Sequence, residues 1–224
     1  LIMEQFPIVI QSLNVGFLQT LKLFFVTLLG ALPLGLIIAF GSMSHFRPLK
    51  YITNIIVWVV RGTPLMIQML IIYYFPGLVL NNVVWGGGES GRFVAASVAF
   101  IFNYACYFSV IYRGGIQSVP QGQTEAGRSL GLNFSQTMRL IIIPQAFKNV
   151  LPALVNEFIV LIKETSIIGY IGMMDLTKGA MLIQSRTYNA FWPLMAAAAI
   201  YLVIVGILTW GMNKLERRLR TSER

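Results

Sequence analysis

The stretch TEAGRSLGLNFSQTMRLIIIPQAF, Thr124 to Phe147, decides how the rest of the chain is interpreted. It is the least apolar part of the middle of a very hydrophobic sequence. Its first residues favour helix, Gly131 indicates a helix end, and polar residues after that glycine offer a new start. The spacing predicts two short helices, Thr124–Leu130 and Ser135–Ile143, with Pro144 bending the chain after them.

Two interpretations of this segment stay open on spacing alone. A solvent-facing helical hook between apolar spans suits the docking of a soluble partner. An ordinary loop with some helix explains the same pattern equally well. We refer to residues 120–147 as the hook.

The composition indicates an integral membrane protein. Of 224 residues, 56% are hydrophobic and only 11% are charged, whereas about 25% charged residues is usual in soluble domains. A single transmembrane domain is expected over residues 1–224, with its core at about 13–215. The net charge of +9 lies in short loops and in a basic tail, 214–224. This placement predicts control of topology and not nucleic-acid binding.

Apolar runs long enough to cross a bilayer predict an all-α fold, since a spanning helix needs about 20 residues. Small residues in the first run favour close packing on other helices. A short interfacial helix is expected over Leu1–Leu13, and a short helical or re-entrant section over Ile167–Arg186. Five spans are predicted: Phe17–Ser44, Tyr51–Leu80, Phe93–Tyr112, Lys148–Ile162 and Phe191–Trp210.

The second predicted span is too long for one straight crossing and is interrupted by Arg61-Gly62-Thr63-Pro64. Proline removes a backbone donor and glycine weakens a helix, so backbone groups are freed here. Broken membrane helices commonly border substrate sites. A tolerated proline kink is the alternative.

The distribution of basic residues predicts the orientation of the chain. Arg47, Lys50, the hook and the tail from Lys214 all carry positive charge, which marks cytoplasmic segments. With five spans, the N-terminus is then outside and the C-terminus is in the cytoplasm.

Enzymatic chemistry has little support in the sequence. The chain has one histidine, His45, and one cysteine, Cys106, so no metal-binding cluster is expected. A phosphate-binding P-loop needs glycine followed by lysine, and the sequence contains no Gly-Lys pair. If ATP drives this protein, another chain must bind the nucleotide.

Four blocks of sequence resemble a known family. The hook residues Glu125-Ala126-Gly127, Gly131 and Ile143-Pro144 are similar to the EAA loop of ABC importer permeases. Glycine at position 127 replaces the usual alanine. The order of the four blocks resembles the polar amino acid uptake branch, the histidine/glutamine permease family. The other three blocks are Arg61-Gly62-Thr63-Pro64, the run from Arg113 to Pro120, and Lys163-Glu164-Thr165-Ser166.

The resemblance implies the fold and partners of a type I importer permease in a prokaryotic plasma membrane. ABC ATPase subunits would hold ATP and magnesium, so this chain would need no cofactor. Further implied partners are a second permease subunit, identical or homologous, an extracytoplasmic amino-acid-binding protein, and membrane lipid. The resemblance assigns ATPase coupling to Glu125, Ala126, Gly127, Arg128, Gly131 and Pro144.

Glu157 is the sharpest single signal outside the hook. An acid deep in a membrane helix costs about 2.5–3.5 kcal/mol on insertion scales, so it usually has a partner or a water-filled cavity. Substrate contact and a structural ion pair with Lys163 or Arg61 both remain open. One acid, with Val160 and Leu161 where some relatives carry a second, argues against a strongly cationic substrate.

The substrate path is expected to include other residues near the break. Asn156 and Asn103 offer hydrogen bonds, although helix–helix contacts explain them equally well. By resemblance, the path also borders the interruption in the second span, at Gly62, Thr63, Pro64 and Met66.

Two functions from different classes follow. The favoured one is the membrane subunit of an ATP-driven amino acid importer that works by alternating access. The alternative is a self-sufficient ion-coupled carrier or channel. Against the alternative stand five spans without an inverted repeat, and a single acid deep in a span.

Overall fold

A computed structural model describes residues 2–189 and 191–221, with side chains over 11–189 and 191–218. Every regular element in these ranges is helical. Two elements are not α-helical: a π segment, Met138–Ile142, and a 3-10 segment, Thr165–Ile171. The α-helices are α1 (Ile2–Ser42), α2 (Arg47–Arg61), α3 (Leu65–Val79), α4 (Gly88–Gln117), α5 (Gln121–Ser129), α6 (Phe134–Thr137), α7 (Ile143–Glu164), α8 (Leu176–Thr187) and α9 (Phe191–Thr221).

Helix α4 is the central strut, because it packs against α1, α2, α3 and α7. Its buried alanines, among them Ala96 and Ala99, let neighbouring backbones come close. Larger side chains on the same helix fill the space between these neighbours. Phe100, Tyr104 and Phe108 are among the largest fully buried side chains of the described chain.

The small residues of α1 pack as the sequence predicts. A Cβ atom on Gly35 would lie 3.0 Å from the Ala105 carbonyl oxygen, and one on Gly30 would lie 2.6 Å from the Ile101 side chain. Both contacts are with α4. The first span is therefore pressed against the central strut and does not face lipid on all sides.

The separate interfacial helix expected over Leu1–Leu13 is not present. Helix α1 runs without a break from Ile2 to Ser42, while Leu1 lies outside the described residues. Gly16 lies within this helix and packs closely on another segment. A Cβ on Gly16 would lie 2.5 Å from the Asp175 carbonyl oxygen, so only glycine fits beside the segment that enters α8.

Three helical stretches in the described ranges are long and apolar enough to cross a membrane: Gln11–Ser42, Gly88–Gln117 and Phe191–Arg218. Helices α2 and α3 pass the same test as a pair bent by 104°. The predicted span Lys148–Ile162 lies within α7, which also carries charged residues and does not pass. Length and composition therefore support three spans in these ranges, or four if the bent pair is one span, and the count of five stays a prediction.

Candidate functional site

The break predicted in the second span is confirmed. Helix α2 ends at Arg61, α3 begins at Leu65, and the two axes differ by 104°. We call residues 61–64 the elbow. Pro64 is the residue that precedes α3, in an extended conformation with φ −65° and ψ 134°. Its fixed φ and missing N–H suit this position.

The Gln68 side chain satisfies the carbonyl groups that the elbow sets free. Its Nε2 donates to the Val60 carbonyl oxygen at 2.7 Å, and it lies 2.6 Å from Thr63 Oγ1 and 3.1 Å from the Thr63 carbonyl oxygen. Thr63 Oγ1 in turn donates to the Val59 carbonyl oxygen at 2.9 Å. In a membrane each unsatisfied backbone group costs several kcal/mol, so this amide stabilises the elbow directly.

Asn103 fastens the elbow to the central strut. Its Nδ2 donates to Gln68 Oε1 at 3.0 Å, and its side chain is only 3% exposed. Two predicted path residues, Thr63 and Asn103, are therefore joined through a residue that sequence reasoning missed. A signal was present, because Gln68 interrupts an otherwise apolar run one helical turn after Pro64.

A cluster of charged and phenolic side chains lies where the elbow meets α4 and α7. Glu157 is half-buried and interacts electrostatically with Glu164 and Arg61. Tyr104 Oη donates to Glu164 Oε2 at 2.7 Å. The Arg61 guanidinium lies 5.1 Å from the centre of the Tyr107 ring. We call these five residues the acid cluster.

The acid cluster changes two expectations about Glu157. Among the described side chains, neither Lys163 nor Arg61 forms a salt bridge with its carboxylate, so a tight structural ion pair is not seen. Val160 and Leu161 do stand one turn after Glu157, but a second acid that the sequence analysis did not consider, Glu164, lies close enough to interact with Glu157 electrostatically. Residues seven apart lie on the same face of a helix two turns along, and this spacing identifies Glu164.

The other predicted path residues are not all in one place. Gly62, Thr63 and Pro64 are exposed at the elbow, and Met66 is half-buried at the start of α3. Asn156 is exposed on α7. Successive residues point about 100° apart around a helix, so Asn156 does not share the face of α7 that carries Glu157.

The first helix of the hook ends where the sequence predicts. Gly131 has φ +80°, a conformation that favours glycine. Its N–H donates to the Arg128 carbonyl oxygen at 2.9 Å, and the Leu132 N–H donates to the Gly127 carbonyl oxygen at 3.0 Å. This pair of bonds is the Schellman motif, which satisfies the last carbonyl groups of α5.

The second helix of the hook begins with a reciprocal cap. Asn133 Oδ1 accepts from the Gln136 N–H, and Gln136 Oε1 accepts from the Asn133 N–H, each at 2.9 Å. This capping box fixes the start of α6. The predicted end at Ile143 is wrong, because the chain continues through the π segment into α7. Pro144 lies in the first turn of α7, where its missing N–H is tolerated.

The hook presents both polar and large apolar side chains at its surface, and among the apolar ones Leu130 is 78% and Phe134 is 71% exposed. Glu125, Ala126 and Arg128 are exposed, whereas Gly127 is buried. A Cβ on Gly127 would lie 3.0 Å from the Thr137 side chain. Glycine at this position therefore allows α5 to pack on the second helix while the neighbouring residues stay free for a partner.

The family model for the binding-protein-dependent transport system inner membrane component matches residues 31–221. The chain is 38% identical to the arginine transport system permease protein ArtQ of Bacillus subtilis, covering 98% of this chain and 95% of ArtQ. It is 35% identical to the putative glutamine transport system permease protein GlnP of Rickettsia conorii, covering 91% of each.

A solved structure supports the same family assignment. The chain matches a chain in the crystal structure of an amino acid ABC transporter with histidines, with a TM-score of 0.85 and 40% identity. The match covers 97% of this chain and 96% of the other. The chain belongs to the family of inner membrane components of binding-protein-dependent transport systems, which makes it a transporter subunit and not a self-sufficient carrier.

Replacing Gln68 tests whether its amide holds the elbow. We expect Gln68→Met to lower the free energy of unfolding by about 1–3 kcal/mol, because the Val60 and Thr63 carbonyl groups lose a donor. Gln11→Met is the matched control, since Gln11 is exposed on α1. The measurement is thermal unfolding of the purified protein in detergent.

A double-mutant cycle with Asn103→Leu separates the hydrogen bond between Gln68 and Asn103 of α4 from the hydrogen bonds that Gln68 makes within the elbow. The two changes remove the same bond, so their effects are expected to be less than additive. Equal stability of Gln68→Met and the control, or strictly additive effects, contradicts the role assigned to this amide.

Proposed function

We propose that the chain is the permease subunit of an ATP-driven amino acid importer. The observation that carries this proposal is the acid cluster, a polar site built at a broken membrane helix. The relatives are named for transport of arginine and glutamine, which supports an amino acid as the class of substrate. In this proposal the path also borders the elbow residues Gly62, Thr63, Pro64 and Met66, with Asn103 behind them.

The partners follow from the family. An ABC ATPase pair would bind ATP and magnesium and dock on the hook. A second permease subunit would complete the path, and an extracytoplasmic binding protein would deliver the substrate. ATP would then favour one of two orientations of the path, since a ligand shifts an equilibrium by its different affinities for the two states.

The charges of the acid cluster favour a substrate with a cationic group. The Glu157 carboxylate interacts with a second carboxylate, Glu164, and with one guanidinium, that of Arg61. The Tyr104 hydroxyl already donates to Glu164, which leaves Glu157 as the carboxylate open to an incoming donor. The α-ammonium of any amino acid has this chemistry, and a basic side chain adds to it.

Replacing Glu157 tests substrate contact. A charge-assisted hydrogen bond is worth roughly 1.5–3 kcal/mol, and 1.4 kcal/mol is about a factor of ten. We expect Glu157→Gln to lower uptake per folded complex by about tenfold or more. Basal ATPase activity and ligand binding by the extracytoplasmic protein are expected to persist, because both sites are on other chains.

Glu89→Gln is the matched control for this change. Glu89 is exposed at the start of α4 and accepts a hydrogen bond from Gln19 Nε2 at 3.0 Å, outside the acid cluster. Unchanged uptake per complex in Glu157→Gln, together with a lower yield of folded protein, assigns Glu157 a structural role instead.

We also propose that the N-terminus is outside and the basic tail is in the cytoplasm. The support is the positive charge of the hook and of the loop before α2. In a Cys106→Ala background, an impermeant thiol reagent applied from outside is expected to label a cysteine at Gly87. A cysteine at Gly122 in the hook is expected to stay unlabelled. The reverse pattern overturns this orientation.

The hook is the proposed contact with the ATPase. We expect Glu125→Arg to abolish ATPase co-purification or to uncouple hydrolysis from uptake, because it reverses the charge on an exposed face of α5. Glu89→Arg makes the same change of charge at the other end of the molecule and is expected to have no effect on either. ATPase binding and transport at the unmodified level in Glu125→Arg contradict the assignment.

A further inference from the structure

An apolar groove of about 640 Å³ lies between α1 and α2, beside the loop that connects them. Phe40 of α1, Leu49 and Ile56 of α2, and Phe102 of α4 line it, and each is between 39% and 51% exposed. We call it the α1–α2 groove. It has no part in the acid cluster or in the hook.

One end of the groove is polar and basic. Ser44 and His45 line it there, and Arg47 and Lys50 are exposed in the first turn of α2. Arg113 brings a further cation to the same helix, because its Nη1 donates to Asn54 Oδ1 at 3.2 Å.

The helices that form this groove carry no acid near its basic end. The sequence contains no aspartate or glutamate from residue 5 to residue 88, so the described side chains of α1, α2 and α3 include no acid. The acid of α4, Glu89, lies 24 residues before Arg113, which is about 36 Å along the helix. That separation exceeds a Debye length of about 8 Å.

We propose that the α1–α2 groove binds an anionic phospholipid. An acyl chain lies along Phe40, Ile56 and Phe102, and the phosphate lies beside Arg47 and Lys50. Basic pockets between membrane helices are typical sites for anionic headgroups, because each nearby lysine or arginine adds an attraction to the negative charge. This site is separate from the transport function proposed above.

Charge argues against a second copy of this chain as the occupant. In a two-fold symmetric contact the same patch meets itself. The basic ends of two such grooves would then face each other without an acid to neutralise them. A lipid with a negative headgroup supplies both the apolar chain and the missing charge.

The test is lipid retention by the purified permease–ATPase complex, measured by native mass spectrometry after removal of native lipid. Phosphatidylglycerol is added back, with phosphatidylcholine of the same acyl chains as the neutral comparison. Glycerol 3-phosphate is the probe for the headgroup alone. We expect phosphatidylglycerol to be retained in preference to phosphatidylcholine, and glycerol 3-phosphate not to displace it.

Two variants remove the two halves of the site independently. Arg47→Gln with Lys50→Gln is expected to weaken phosphatidylglycerol retention by about fivefold for each charge removed. Ile56→Trp is expected to weaken retention by filling the groove. The matched controls are Arg186→Gln with Lys163→Gln, which are exposed elsewhere, and Ile71→Trp, an exposed position on α3.

Several outcomes overturn the proposal. Equal retention of the two lipids removes the role of charge, and displacement by glycerol 3-phosphate reveals an anion site without an acyl chain. Retention by Ile56→Trp at the level of Ile71→Trp places the lipid elsewhere. A lipid that is lost when two permease subunits assemble indicates that the second copy covers the groove.

Discussion

The need to satisfy backbone groups in an apolar environment governs the elbow, and one side-chain amide meets it. A helix that turns by 104° in three residues leaves carbonyl groups of its last turn without partners. Gln68 reaches back to supply a donor to Val60 and Thr63. The Oε1 atom of Gln68 accepts a hydrogen bond from Asn103, so the elbow and α4 form one hydrogen-bonded unit.

The position of the acid cluster depends on this unit. Arg61 is the last residue of α2, and the elbow directs it to the Tyr107 ring of α4. Asn103, Tyr104 and Tyr107 fall within about one turn of α4. Helix α4 therefore anchors the elbow through Asn103. At the same height along the helix, it places the Tyr107 ring against Arg61 and the Tyr104 hydroxyl against Glu164.

Local features of the site were predictable from the sequence, and contacts between distant segments were less so. The turn at Gly131 and the cap at Asn133 depend on neighbours within five residues, so spacing indicates them. The break at Gly62 to Pro64 has the same local origin. The close approach of Gly16 to Asp175, about 160 residues later in the chain, has no local signal and could not be predicted.

The roles of Gln68 and Glu164 illustrate the same limit. Each has a sequence signal: a lone amide in an apolar run, and an acid two turns after another acid. Neither spacing identifies the partner, because Asn103 and Tyr104 lie on a different helix. The exposed hook residues were assigned by family resemblance, whereas the burial of Gly127 against Thr137 needed coordinates.

The run of helix from Phe134 to Glu164 has a mechanical consequence. The second part of the hook, the π segment and α7 follow one another without a non-helical joint, and both carboxylates of the acid cluster lie on α7. A displacement of the hook along this continuous helix is therefore transmitted towards Glu157, because no non-helical linker separates the two. The π segment is the place in this continuous helix where bending is most readily accommodated, because helices kink at such segments. Torsional strain applied at the hook would concentrate there, between the exposed face of the hook and the carboxylates.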